Sequence, residues 1–187
     1  QASNARLNLQ GDKTGTRLDG VIELDNNAKL LLKAGVSGSE ADFLDRALGG
    51  SARIEIQDIA FVDGFIPQIS NAAGSLQGDV NIGGSLRAPV LQGSITGSAS
   101  RLALEQPGIT LEQVRLKVEG QPDGAIALDL SAQSGAGQVT IRGSGRLNAT
   151  PPTATFRITG RDFQLMDTRE ANIIASPDLE LKVAGKQ

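Results

Sequence analysis

Cysteine and histidine are both absent from the 187 residues of this chain. Without thiols it has neither a disulfide framework nor thiolate chemistry. Without imidazole, zinc sites, the commonest general base and the usual nucleophilic triads lose essential members. Trp and Tyr are missing too, and there are only five Phe and one Met. Any core must therefore come from Leu, Ile, Val and Ala. No apolar run approaches the roughly 18 residues of a membrane-spanning helix. No charged, apolar and small leader opens the chain. A net charge of -3, with arginines and lysines scattered and no aromatic residues between them, excludes a nucleic-acid track.

What remains for acid–base chemistry is carboxylates. Glu23 and Asp25, Asp42 and Asp45, and Asp162 and Asp167 form pairs in the sequence, but nothing around them would raise a pKa by desolvation. They read as solvated acids at strand edges and caps. Asp25-Asn26-Asn27 lacks calcium-loop spacing and its terminal Glu, so it reads as a turn. Gly83-Gly84 and Gly135-Ala136-Gly137 precede no Lys-Ser/Thr and open no helix, so neither is a phosphate loop. The chain carries no cofactor motif and reads as a non-enzyme.

What is present is glycine, 23 of it, set inside runs that alternate. Gly74, Leu76, Gly78, Val80 and Ile82 share one parity; Leu91, Gly93, Ile95, Gly97 and Ala99 share another, across a Gly-Gly turn and Pro89. Side chains on a strand alternate faces, so each run has an apolar or empty face and a polar one. Inward glycines suggest a sheet that bends sharply or leaves room for a guest.

The same period runs along the chain. Ala5, Leu7 and Leu9 begin it, then Leu18, Gly20, Ile22 and Leu24, then Ala28 to Val36 after the Asp25 turn. Residues 39–48 break the pattern and read as a short helix, with Ser39 as N-cap, an apolar stripe of Phe43, Leu44, Ala47 and Leu48, and Gly49 as the stop. Ala52, Ile54 and Ile56 return to strand, and 59–66 reads as a helical turn or apolar loop ending at Pro67. Parity then flips near Ser98–Arg101 and again near Glu112–Val114, which predicts a bulge or a strand break at each. Pro107-Gly108 and Pro122-Asp123-Gly124 are hairpin turns. Phe163 and Leu165 flip parity once more after Ala154, Phe156, Ile158 and Gly160. Leu179, Leu181 and Val183 end the chain on a strand. About a dozen strands with short links make an all-β antiparallel meander with at least one unpaired edge. Gln1 and the mid-pattern end at Lys186-Gln187 suggest a piece of a longer protein, with any anchoring segment outside it.

The motifs also form an ordered series. GSLQGDVNIGGSLRAPVLQGSI at Gly74–Ile95 resembles the recurring unit of the TamB family: a Gly-Leu strand, a Gly-Ser-Leu turn, then x-x-Pro-x-Leu-x-Gly. PGITLEQVRLKVEG at 107–120 resembles that family's strand after the proline turn, GQVTIRGSGRL at 137–147 its glycine-rich strand, and ASPDLELKV at 175–183 its Ser-Pro-Asp-Leu strand. The likeness covers roughly residues 50–187 and thins before that. It places the chain near the family's C-terminal end.

The resemblance implies a single β-taco over 1–187: a long curved antiparallel sheet folded into a trough with an apolar inner face. It implies an inner-membrane anchor by an N-terminal helix outside this chain, a path across the periplasm, and an Omp85-class, TamA-like outer-membrane barrel partner. It implies phospholipid movement and the assembly of outer-membrane proteins and autotransporters, with AsmA-like and bridge-like lipid-transfer proteins as relatives. The residue pattern agrees on the greasy face.

Candidate groove residues are Leu76, Val80 and Ile82, then Leu91, Ile95, Leu102 and Leu104. Next come Ile109, Leu111, Leu116 and Val118, followed by Ile126, Leu128 and Leu130. Val139, Ile141, Phe156 and Ile158 complete the set. Each is equally legible as an ordinary β-core residue. A continuous apolar surface suffices for an acyl chain, since each methylene removed from water contributes about 0.8 kcal/mol. Two alternatives stay open: a chaperone-like module that pairs its open edges with nascent barrel strands, and a closed sandwich or solenoid with no accessible apolar interior.

Overall fold

The structure is a computed structural model describing residues 3–11, 15–24, 28–38 and 42–185. Thirteen strands follow in order: β1 (Ser3–Gly11), β2 (Gly15–Leu24), β3 (Ala28–Ser37), β4 (Ala47–Ile56), β5 (Ile69–Gly84), β6 (Pro89–Leu104) and β7 (Ile109–Gly120). Then come β8 (Ala125–Ser134), β9 (Gly137–Arg146), β10 (Thr153–Arg161), β11 (Phe163–Asp167), β12 (Asn172–Ala175) and β13 (Asp178–Ala184). Eleven of them form one antiparallel sheet in the order β1 to β10, then β13. β11 and β12 form a separate hairpin. The sheet does not close: β1 and β13 are its two edges. The alternation predicts this open all-β antiparallel meander, and its form is consistent with the curved trough that the resemblance implies.

Period-two patterning explains the order. Short links join neighbours in sequence, and neighbours in sequence pair in space. Both parity flips are bulges. β6 inserts Ser100 between Ala99 and Arg101 where β5 moves only from Gly74 to Ala73. β7 moves three residues, Glu112 to Arg115, while β8 moves two. Gln113 takes up the extra residue with φ 50°. Ser100 and Gln113 lie between the aligned pairs Ala99–Val114 and Arg101–Glu112, so the β6–β7 register passes through unbroken. The turns at Gly108 (φ 68°) and Gly124 (φ 81°) form where Pro-Gly and Pro-Asp-Gly predict them.

One expected element does not form: among the described residues of the 39–48 stretch, 42–48 make no α-helix. A single 3-10 turn spans Phe43–Asp45, capped by Asp42, whose side chain accepts from the Leu44 amide. Ala47 and Leu48 already belong to β4, paired with Ser37 and Val36. The ladder to β3 offers those residues hydrogen bonds along a whole strand, which a three-residue turn cannot match. Ser39, the expected cap, lies outside the described residues, as do the turn at Asp25-Asn26-Asn27 and Asp12. The 59–66 segment does form a 3-10 turn, Ala60–Gly64, with Phe61 and Phe65 edge to face at 6.1 Å.

The inward glycines do not leave voids. Gly78 stands opposite Ile95, Gly97 opposite Leu76 and Leu116, and Gly143 opposite Leu128 and Phe156. A Cβ at Gly143 would come within 2.8 Å of the Phe156 ring and 3.2 Å of Leu128 Cβ. The missing side chains are filled sideways, by large neighbours in the next strands.

Turns at the ends of the strands are tied by carboxylates. Asp42 and Asp45 both grip Arg87 in the β5–β6 turn, at 2.5 and 2.7 Å. Asp123 accepts from the Ala125 amide and from Arg146. The Ala125 amide first, and Arg146 with it, holds its carboxyl below the usual carboxylate range.

Two outcomes follow for stability. Gly143→Val is expected to destabilise by about 1–3 kcal/mol through overpacking, while Gly83→Ala, with nothing near its Cβ, stays within about 0.5 kcal/mol of the parent; thermal unfolding of both compares them. Because the Asp123 pKa is lowered on folding, its contribution is complete at neutral pH and is lost as pH falls below 3.8. The protection of the Ala125 amide, measured against the intrinsic exchange rate at each pH, should fall in that range, and Asp123→Asn should abolish that pH dependence.

Candidate functional site

The pairing registers align side chains in files that cross the sheet. One file runs through all eleven strands: Leu7, Gly20, Leu32, Ala52, Val80, Gly93, Gly120, Ile126, Gly145, Ala154 and Val183. A second holds Leu30, Ile54, Gly78, Ile95, Val118, Leu128, Gly143, Phe156 and Leu181. A third holds Ala28, Ile56, Leu76, Gly97, Leu116, Leu130, Ile141, Ile158 and Leu179. Ile82 pairs with Leu91 in a fourth, and Ala132 with Val139 in a fifth. Beyond the bulges, Leu102 faces Leu111 and Leu104 faces Ile109.

All eighteen candidate groove residues therefore lie on one face. Seventeen are half-buried, and Ile109 alone is buried. Among the described strand residues of the main sheet, none on this face is charged. Ten inter-strand steps of about 4.8 Å give the face a length of roughly 48 Å.

This face is not sealed by a second layer. The chain exposes 12139 Å², whereas a closed globular protein of 19.4 kDa exposes roughly 8,500 Å². Among the described residues only six apolar ones are buried, and four of them are alanines. A closed sandwich would bury the leucines and isoleucines of its inner sheets, so the closed alternative fails.

The opposite face is a charged ladder. Glu23, Lys29, Glu55, Gln77, Thr96, Lys117, Asp129, Arg142, Arg157 and Glu180 stand in one file. Ion pairs run across it, such as Arg53–Asp79 at 2.6 Å and Arg142–Asp129 at 3.2 Å. Two crevices of about 800 and 690 Å³ include charged residues of this face in their linings: Arg17, Asp19 and Lys33 in one, Arg115, Lys117 and Arg142 in the other.

The family model described as TamB, N-terminal domain matches residues 1–96, just over half of the chain. The chain belongs to the TamB family. The match falls on the half where the family's motifs are sparser, and its description gives no support to a place near the family's C-terminal end. No curated protein and no solved structure matches the chain. No helix among the described residues is long and apolar enough to cross a membrane, and no group of metal-ligating side chains gathers among them.

One element of this TamB-family chain escapes sequence reasoning. β11 and β12 leave the main sheet, and β11 packs on β7, β8 and β9. Phe163 of β11 is buried, as are Ile109, Ala132 and Ser134 at the ends of β7 and β8. The available signals were the parity flip at Phe163 and the isolated Ile173-Ile174 pair. They mark a break in the sheet without saying where the broken-off piece goes.

A dye that fluoresces in nonpolar surroundings should bind this face. Val118→Glu together with Leu128→Glu should lower its signal several-fold while the far-UV spectrum stays unchanged. An unaltered signal would mean that the dye binds elsewhere.

Proposed function

We propose that this TamB-family segment is a length of hydrophobic trough that shelters lipid acyl chains. In this reading it serves phospholipid transport between inner and outer membrane and, through it, the assembly of outer-membrane proteins and autotransporters. The observation that carries the reading is the uncharged, half-exposed apolar face that runs from β1 to β13. A solvated protein has no structural use for so long an apolar strip left open. Acyl methylenes laid along the files would leave water at about 0.8 kcal/mol each. No single residue need be specific, which accords with the lack of a polar pocket on this face. The headgroup would stay at the open mouth, in water.

The family likeness supplies the setting: the periplasm, with an inner-membrane anchor outside this chain and an Omp85-class, TamA-like barrel as partner. A second reading rests on β13, whose Leu179, Leu181 and Val183 are 53, 50 and 56% exposed at an unpaired edge. Such an edge could take up a client strand by augmentation.

A photo-crosslinking residue at Leu128, with Asp129 on the opposite face as control, separates the two in the intact protein in cells. Phospholipid adducts at Leu128 and none at Asp129 are the expected result. Absence of lipid at both, with outer-membrane protein captured from positions on β13, would replace the lipid reading with the chaperone reading.

A further inference from the structure

The apolar face is open along most of its length and covered in one place. After β10 the chain turns over the end of β9, and the Asp162 carbonyl stands where a Cβ on Gly137 would project from the apolar face. Gln164 packs on Gly135 in the β8–β9 turn, and the Asp167 carbonyl sits on Gly108 in the β6–β7 turn. β11 thus crosses the ends of β9, β8 and β7, at right angles to the strands and along the files. An acyl chain in the trough would take the same direction. Five strand residues span about 16 Å.

The cover is attached lightly. Beyond its neck, the Asp167 amide donates to the Pro107 carbonyl at 2.7 Å, and Phe163 is its one buried apolar anchor. Beneath it the Ser134 hydroxyl, 1% exposed, has no hydrogen-bond partner, a cost that lasts as long as the cover is down. The hairpin leaves Leu165, Ile173 and Ile174 exposed at 46, 44 and 60%, with the neighbours Ile173 and Ile174 on opposite faces of β12. Little of its apolar surface is committed to the sheet, as suits an element that can be displaced.

We propose that the β11–β12 hairpin is a displaceable strap over a covered acyl-chain site, whose floor is the buried Ile109 and Ala132. Lipid enters this section of the trough when the strap lifts. This rests on the acyl-chain reading above.

The absence of cysteine from the chain makes the strap easy to lock. A Cβ on Gly135 would stand 3.2 Å from Gln164 Cβ, a few tenths of an ångström inside the disulfide range; Gly135 has φ 61°, so its cysteine carries backbone strain, for which the Gly135→Cys single variant is the control. In the intact protein in cells, Gly135→Cys with Gln164→Cys is combined with a photo-crosslinker at Leu111, beside the strap, or at Leu32, far from it. Loss of thiol labelling reports closure. The expected result is lipid adduct at both positions when reduced, and loss of the Leu111 adduct alone when oxidised. Phe163→Ala, which removes the anchor, should raise the Leu111 adduct without any disulfide. Equal Leu111 adduct in both redox states, with Phe163→Ala also silent, overturns the strap and leaves the acyl-chain reading standing. Adduct at Leu32 only, in every state and variant, makes the hairpin a permanent roof and also overturns it. No adduct at either position in any state overturns the acyl-chain reading and the strap together.

Discussion

Strict two-residue alternation, kept in register across eleven strands, is the constraint on which everything else here depends. A one-residue slip in a single strand would carry its charges onto the apolar face and its leucines onto the polar one. The sequence cannot hold perfect alternation through β5, β6 and β7, so it inserts single residues. Ser100 and Gln113 sit between the same aligned pairs of neighbouring strands, and the polarity of both faces survives the insertion. The apolar face is thus a property of the pairing. No individual strand possesses it.

A second consequence is that stability has to come from within one layer. With six apolar residues buried among those described, there is little core to hold the fold in the ordinary sense. Cohesion comes from backbone ladders and from side chains packed against neighbours in the same file. Large-next-to-glycine pairs such as Leu128, Gly143 and Phe156 are the device: a branched or aromatic side chain spreads over the strand beside it. Ion pairs on the opposite face are exposed and add little individually. Their order matters more than their strength, since alternating charge keeps that face wet and leaves the apolar face as the only one that favours a nonpolar guest.

The two rims of the trough are not alike. At one, Asp42, Asp45 and Arg87 clamp neighbouring turns, and Asp123 and Arg146 do the same further along. At the other, the Phe61–Phe65 turn and the β11–β12 hairpin bring apolar side chains to the edge, with Phe65 71% exposed. A lipid in the trough would therefore meet one polar, tightly tied rim and one apolar, partly covered rim. That difference gives the trough a handedness which its repetitive floor does not have.

The amino-acid sequence by itself determined the alternation, the strand count to within one, the two places where parity flips and the uncharged face, because each is a local or nearest-neighbour property; the registers decided that the flips are bulges within continuous strands. Parity can be counted, and a strand pairs with the next when the link is short. It also carried the family resemblance in its glycine and proline spacing. The tertiary structure decided what depends on competition or on distance. Residues 43–48 have a helical stripe, yet Ala47 and Leu48 join β4 because a ten-residue ladder beside β3 offers more than one isolated turn. The inward glycines look like empty slots until the registers set Ile95, Leu76 and Phe156 beside them. The hairpin at 163–175 reads as two weak strands, and only the folded chain shows it lying across β7 to β9, because that contact joins segments that no short link connects.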